Sequence, residues 1–320
     1  MKRTTILFVI FTFFILLGVF WWINGTSAVN NENRNEKIFV VRPGDSIRDI
    51  ANRLKKEGLI KDPIVFFLLV KQLGLDGKIQ AGSFRLSPSL NATDIAQNLT
   101  HGTLDIWITV PEGKRAEEVL AILKEKIPTY QNSWEQDFTA HEGYLFPDTY
   151  LIPVNADSNL IITIMRNTFD QKYKELEPLV EKSSLSKDEI VTLASLIERE
   201  AKLEEDRTLV SSVIHNRLDI GMKLDIDATV QYILGYQADE KTWWKRHLTF
   251  DDLSINSPFN TYRNAGLPPK PIANPGLAAL KAVVNPTQTN YLYYISDKTG
   301  KNHYAQTLEQ HEANKEKFGL

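Results

Sequence analysis

Glu198 and Glu200 stand either side of Arg199 in the stretch LASLIEREAK, residues 193–202, directly after an almost unbroken apolar run. A carboxylic acid held against apolar side chains loses hydration when it ionises, so its pKa rises toward neutrality. Such an acid can give its proton to a departing glycosidic oxygen, a general-acid role worth about 10²–10⁴-fold in rate. The plainer reading is a solvated charge pair at a helix end, which contributes little. Projection at about 100° per residue puts Asp188, Thr192, Ser195, Arg199 and Lys202 on one polar side, opposite Ile190, Leu193, Leu196 and Ile197. Glu198 falls at the border above Val191 and Ala194, while Glu200 points toward Leu193 and Leu196. Both acids lie off the polar face, Glu200 slightly the more buried, and periodicity does not choose between them.

Little other chemistry competes. The chain has no cysteine, which removes disulfides, thiolate metal sites and a cysteine nucleophile. It has no HExxH pair, no glycine-rich phosphate loop and no G-x-S-x-G elbow. Its 6 histidines are scattered, so a metal site is not expected. Residues 257–271 (SPFNTYRNAGLPPKP) offer Asn260, Tyr262 and Asn264, whose amides and hydroxyl suit sugar hydroxyls or N-acetyl groups. Tyr144 and Phe146, in EGYLFPDTY at 142–150, add aromatic faces. The β-branched alternation of LDIDATVQYIL, residues 224–234, predicts an extended segment with Asp227, Thr229 and Gln231 in one polar row.

These groups need elements to hold them. Residues 4–23 (TTILFVIFTFFILLGVFWWI) carry no charge and follow Lys2 and Arg3. About 20 apolar residues suffice to cross a bilayer as a helix. Trp21 and Trp22 close the span at headgroup level, and the basic tip, residues 1–3, favours the cytoplasm. The expectation is a retained single-pass anchor with the remainder outside the cytoplasmic membrane. The alternative is a cleaved signal peptide ending near Thr26-Ser27-Ala28. Residues 24–37 are polar and Asn-rich, which predicts a flexible tether. Strand, proline turn, cap and helix then follow one another three times, at 38–54, 83–99 and 107–123. VVRPGDSIRDIANRL, in the first of these, resembles a LysM repeat, a small βααβ carbohydrate-binding module. The reading is α+β: a LysM-like subdomain at 38–105, then a mixed α+β catalytic domain at 106–320. Further on, helices are predicted at 158–174, from a Ser-Leu-Ser cap to about Lys202, at 205–218 and up to Val283, with strands at 291–296 and around 302–304. The formal net charge of -3, without basic blocks, excludes general nucleic-acid binding.

Several blocks in fixed order add a resemblance. EGYLFPDTY, the run from LASLIEREAK through VIHNRLDIGMKLDIDATVQYILG, and SPFNTYRNAGLPPKPIANPGLAALKAVVNPTQTNYLYYIS together closely resemble the YceG-like family. The likeness covers the chain from the anchor onward. Ala228 stands where that family often has Pro, and Phe259 where it often has Tyr. The resemblance implies a lytic transglycosylase that cuts peptidoglycan glycan strands internally, outside the cytoplasmic membrane, and without a cofactor. It also implies a link to peptidoglycan synthases of the divisome or elongasome, and a role in ending strand growth. In its S-[IL]-[IV]-E-x-E block the first glutamate is taken as the catalytic acid/base, which maps to Glu198; Glu200 then has a supporting role. On this reading Glu198 lines a cleft beside Val191 and Ala194 with a raised pKa, and Glu200 is tied into a structural pair or a hydrogen bond. Two other readings remain: a muramidase that uses water, with Asp227 as partner, and a non-catalytic glycan-binding scaffold.

Overall fold

The computed structural model describes residues 2–101, 104–201 and 203–319. The chain divides into two compact units, residues 1–108 with 150–155, and residues 109–149 with 156–320. Residues 150–155 thus belong with the first unit.

The first unit opens with the apolar helix α1 (Lys2–Thr26). It continues through β1 (Lys37–Val41), α2 (Ile47–Lys56), α3 (Pro63–Gln72), β2 (Gly82–Leu86), α4 (Ala92–Asn98) and β3 (Asp105–Thr109), and takes in β4 (Thr149–Pro153). The four strands form one sheet in the order β1-β2-β3-β4, with β1 and β2 antiparallel in the register Phe39 to Phe84. Local chemistry sets the helix starts. Ser46 and Asp49 form a capping box at α2, and Asp62 caps α3 ahead of Pro63, whose missing N–H costs nothing there. Phe39, Leu54, Leu59, Phe66, Phe84 and Ile95 are buried together, each large apolar side chain worth about 1.5–3 kcal/mol. The segment after α1 is not free of this core: Ala28 is buried, and the Asn30 N–H donates to the Pro88 carbonyl at 3.0 Å.

The second unit is mainly helical. Its elements are α5 (Ala116–Lys126), α6 (Trp134–Thr139), α7 (Ser158–Lys174), α8 (Glu177–Val180), α9 (Lys187–Glu200), α10 (Arg207–Asp219), α11 (Asp227–Leu234), α12 (Phe250–Leu253), α13 (Leu277–Val284), β5 (Tyr293–Ser296), β6 (Asn302–Ala305) and α14 (Leu308–Phe318). Strands β5 and β6 make an antiparallel pair against which α14 packs. Helix α9 is the axis of the unit. Ser186 and Glu189 close a capping box at its start, and every residue from Ile190 to Ile197 is buried between α10, α11 and α13. Even the polar Ser195 is satisfied: its hydroxyl donates to the Thr192 carbonyl at 2.7 Å and accepts from the Ile272 N–H at 3.1 Å. The helix ends at Glu200, where Ala201 turns extended; Lys202, the expected end, lies outside the described residues.

One predicted element is wrong. Residues 227–234 are helical, not extended. The alternation of Leu224, Ile226, Ala228 and Val230 imitates a strand, but Ala228, Thr229 and Val230 are buried consecutively, as a helix lying against α9 requires. The distant Thr261 hydroxyl receives the Ile226 N–H at 3.0 Å and fixes the chain just before the helix.

Candidate active site

The last turn of α9 brings three charged side chains out of the core at successive positions, so they point in three directions. Glu198 turns toward α10 and α13. Its Oε1 accepts from Arg207 at 3.1 Å and its Oε2 from the Gly276 N–H at 3.0 Å. The carboxylate side chain is 6% exposed and that of Arg207 14%, a nearly dry ion pair. Glu112 touches the same guanidinium at 3.5 Å; burial and the neighbouring Glu198 push its pKa up. Arg199 lays its guanidinium 3.7 Å over the Trp244 ring. That ring is steered by a hydrogen bond from Trp244 Nε1 to Glu118 at 2.9 Å.

Glu200 faces a cavity of about 780 Å³, whose wall includes Arg217, Asp227, Tyr262, Tyr293 and Tyr294. Its Oε2 accepts from the Tyr294 hydroxyl at 2.8 Å. Burial pushes its pKa up to about 6; the Tyr294 hydrogen bond opposes the rise, Asp227 adds to it and Arg199 opposes it. Asp227 in turn accepts from the Tyr262 hydroxyl at 2.5 Å. The cavity therefore holds a carboxyl that is part-protonated near neutrality, a second carboxylate, and tyrosine faces on which a sugar ring can lie. Among the described residues no three His, Cys, Asp or Glu side chains converge where a metal ion could sit.

The residues selected from sequence are only partly brought together. Glu200, Asp227, Gln231 and Tyr262 line the cavity. Gln231 also donates to the Lys245 carbonyl at 2.7 Å. Thr229 is fully buried, its hydroxyl donating to the Ile226 carbonyl at 2.7 Å, so it does not face a substrate. The polar row of Asp227, Thr229 and Gln231 dissolves because a helix separates alternate residues by about 200°. Asn260 is also fully buried and spends its amide on the Leu253 and Ile255 carbonyls at 2.9 and 2.8 Å. Asn264 bonds the Ser257 and Asn260 carbonyls at 2.8 and 3.0 Å. Both asparagines thus shape the loop they sit on. Tyr144 is hydrogen-bonded to Asp188 and tilts against Phe169 at 5.0 Å, away from the cavity wall. Phe146 is a core residue.

Glu198, expected in a cleft, is instead paired with Arg207. Glu200 has the hydrogen bond expected of it, from Tyr294, and faces the cavity as well. Residues two positions apart on a helix point about 200° apart, so Glu198 faces α10 while Glu200, still within α9, faces β5.

A further cluster locks the loops behind the site. Asn274 accepts the N–H groups of Gly143 and Leu145, each at 2.9 Å. Its amide donates to the Lys114 carbonyl at 2.9 Å and to Glu142 at 3.0 Å. Glu142 is buried and accepts the Ala116 N–H with both oxygens at 3.1 Å. Burial holds its pKa up at about 8, so it is largely protonated at neutral pH. Nothing local in the sequence signals Tyr294, Gly276 or Asn274, which come from far along the chain, or Arg207, which lies beyond the end of α9.

Comparison with known proteins adds to this geometry. Residues 39–317 match the model of the YceG-like family. The endolytic murein transglycosylase of Bacillus subtilis strain 168 is 32% identical over 342 residues, covering 95% of this chain and 91% of that protein. A Streptococcus pneumoniae protein of the same name, from serotype 2 strain D39, is 29% identical over 88% of this chain, which spans 58% of that longer relative. A 2.6 Å crystal structure of a putative YceG-like protein from Listeria monocytogenes superposes with a TM-score of 0.59 at 28% identity, covering 88% of this chain and 99% of that one.

Proposed function

The chain belongs to the YceG-like family, and from that premise we propose that it is a membrane-anchored endolytic transglycosylase of peptidoglycan with Glu200 as its acid and base. The observation that carries the reading is the place of Glu200, on the wall of a cavity rich in tyrosine and hydrogen-bonded by Tyr294, where burial pushes its pKa up to about 6. Glu198 has both oxygens engaged by Arg207 and Gly276, so its role is to hold the end of α9 in place.

The chemistry needs one carboxyl. Neutral Glu200 gives its proton to the glycosidic oxygen O4 of the departing GlcNAc, and the bond from that oxygen to C1 of MurNAc breaks. The 6-hydroxyl of the same MurNAc then attacks C1, and the Glu200 carboxylate takes the hydroxyl proton. The products are a free GlcNAc end and a 1,6-anhydroMurNAc end, and Glu200 is neutral again. The internal nucleophile is held close by the ring that carries it, so orientation replaces a bound water. Asp227, held by Tyr262, adds negative potential where C1 becomes positive.

Asp227 also favours one rival. Most glycosidases pair an acid with a second carboxylate that activates water or attacks C1, and the cavity contains such a pair. Mass analysis of products from polymeric peptidoglycan separates the two, because anhydro ends lack the water that hydrolysis adds. Wild type is expected to release anhydro-ended fragments from within strands, Glu200→Gln none, and Glu198→Gln anhydro-ended fragments in proportion to its folded fraction. Fragments that all carry added water would establish the muramidase. Unchanged activity in Glu200→Gln would sink the assignment of that residue, and loss in Glu198→Gln at full folding would return the role to Glu198.

The same reading has α1 retained as an anchor that keeps both units outside the cytoplasmic membrane, near nascent strands and the synthases that extend them. The β1-α2-α3-β2 segment serves there as a LysM-like glycan contact.

A further inference from the structure

Residues 8–26 of α1 form a 19-residue apolar stretch, about 28 Å at 1.5 Å per residue, enough for the hydrocarbon core of a bilayer. The end of this helix does not swing free of the first unit. Gly25 lies so close to α3 that a Cβ there would come within 2.6 Å of Val65 Cγ2. Trp22 packs against the core, and Trp21 Nε1 donates to Asp62, the cap of α3, at 3.0 Å. Tryptophans at the end of a span sit at headgroup level. The start of α3 is therefore held at that level too.

Helix α3 buries Val65, Phe66, Leu69 and Val70 and leaves another face open. Ile64 is 61% exposed and Leu68 42%, one turn apart, with Phe67 half-buried beside them. These side chains, with Pro63, line a groove of about 380 Å³. Two cations frame it: Arg48 and Lys71 lie over the Phe67 ring at 5.3 and 5.5 Å. An apolar stripe edged by cations is the chemistry of an interfacial membrane contact, apolar side chains entering the acyl boundary and cations meeting anionic headgroups.

We propose that the exposed face of α3 docks on the bilayer, with Ile64 and Leu68 inserted among the lipids and Arg48 and Lys71 at the headgroups. The proposal rests on the reading of α1 as a retained anchor. Its consequence is a first unit that lies on the membrane rather than at the end of a flexible tether.

The absence of cysteine allows single probes. Full-length Phe20→Cys, Ile64→Cys and Leu68→Cys variants, each carrying an environment-sensitive fluorophore, are reconstituted in vesicles of phosphatidylcholine and phosphatidylglycerol. Emission is compared between ordinary and brominated acyl chains. Probes seated about 5–10 Å into the headgroup–acyl boundary should be quenched at least ~2-fold at positions 64 and 68, as at 20. Combining Arg48→Glu with Lys71→Glu should relieve the quenching at 64 and 68 and leave that at 20. Quenching at 20 without quenching at 64 and 68 overturns the docking while the anchor stands. No quenching at 20 removes the anchor and the docking together.

Discussion

The Tyr294 hydroxyl donates to Glu200 Oε2 at 2.8 Å, joining strand β5 to the end of helix α9 across 94 residues of sequence. A hydrogen bond to a carboxylate favours its charged form, so this contact restrains the upward shift that burial imposes on Glu200. Asp227 works the other way, its charge discouraging a second one nearby. If neutral Glu200 starts the reaction, activity declines as pH rises through about 6. Tyr294→Phe should move that decline to higher pH, and Asp227→Asn to lower pH. A pH profile of kcat/KM on glycan strands reads both, and displacement in the same direction by the two variants would refute the electrostatic account.

Stability carries the same signature. The native state holds the Glu200 proton up to about pH 6, whereas the unfolded chain releases it near 4.5. Between those values the folded state binds more protons, so stability falls as pH rises through the window. A shift of about 1.5 units corresponds to about 2 kcal/mol at most, and less for a group that the cavity partly solvates. Glu200→Gln never ionises. It should therefore unfold at higher denaturant than wild type above pH 6, by about 1–2 kcal/mol, and match it below pH 4.5. Urea titrations at pH 4 and pH 8 test this, and a variant less stable than wild type at pH 8 would contradict it.

Breaking the pair of Glu198 should destabilise instead. Its pair with Arg207 is nearly dry at 3.1 Å, and removal of one partner from such a pair typically costs about 3–5 kcal/mol because the other charge is stranded. Arg207→Ala leaves Glu198 with the Gly276 N–H, while Glu112 loses its contact as well. The expected result is a marked fall in the thermal midpoint, with the pH profile of the remaining folded enzyme unmoved. Arg207→Lys should recover part of the stability. A displaced pH profile in either variant would mean that this pair acts on the chemistry and not on the scaffold.

These contrasts also mark what the sequence could reveal. Helix α9 is legible because its start is chemical, Ser186 with Glu189, and its middle carries an apolar face of Ile190, Leu193, Leu196 and Ile197. Helix α7 was legible through its spacing, and its span of Ser158–Lys174 is the expected one. Helix α11 was misread because burial on α9 selects the same β-branched residues that a strand would use. For the two glutamates, the wheel already leaned toward Glu200 as the less polar position. What decides their surroundings lies elsewhere: Arg207 follows α9, Gly276 precedes α13 and Tyr294 is on β5, none of them within a helical turn of either acid. Asn260 and Asn264 look like sugar ligands by residue type, yet their amides are consumed by loop carbonyls that only the folded chain brings near.

Asn274 offers a test of how the loops at 113–116 and 142–145 are kept in register. One side chain satisfies the buried N–H groups of Gly143 and Leu145 and bonds both the Lys114 carbonyl and Glu142. Asn274→Ala strands two backbone donors, each costing about 1–3 kcal/mol when buried and unsatisfied, and leaves Glu142 with the Ala116 N–H. Gly143 cannot compensate by moving. Its φ is +88°, and a Cβ there would lie 2.5 Å from the Pro271 ring and 2.9 Å from Val191 on α9. Gly143→Ala should therefore destabilise as well, through backbone strain and a clash with the helix that carries Glu200. Because both changes disturb one joint, the double variant should lose less than the sum of the two single losses. Chemical denaturation of the three variants checks this; losses that add fully would show the two positions to be independent.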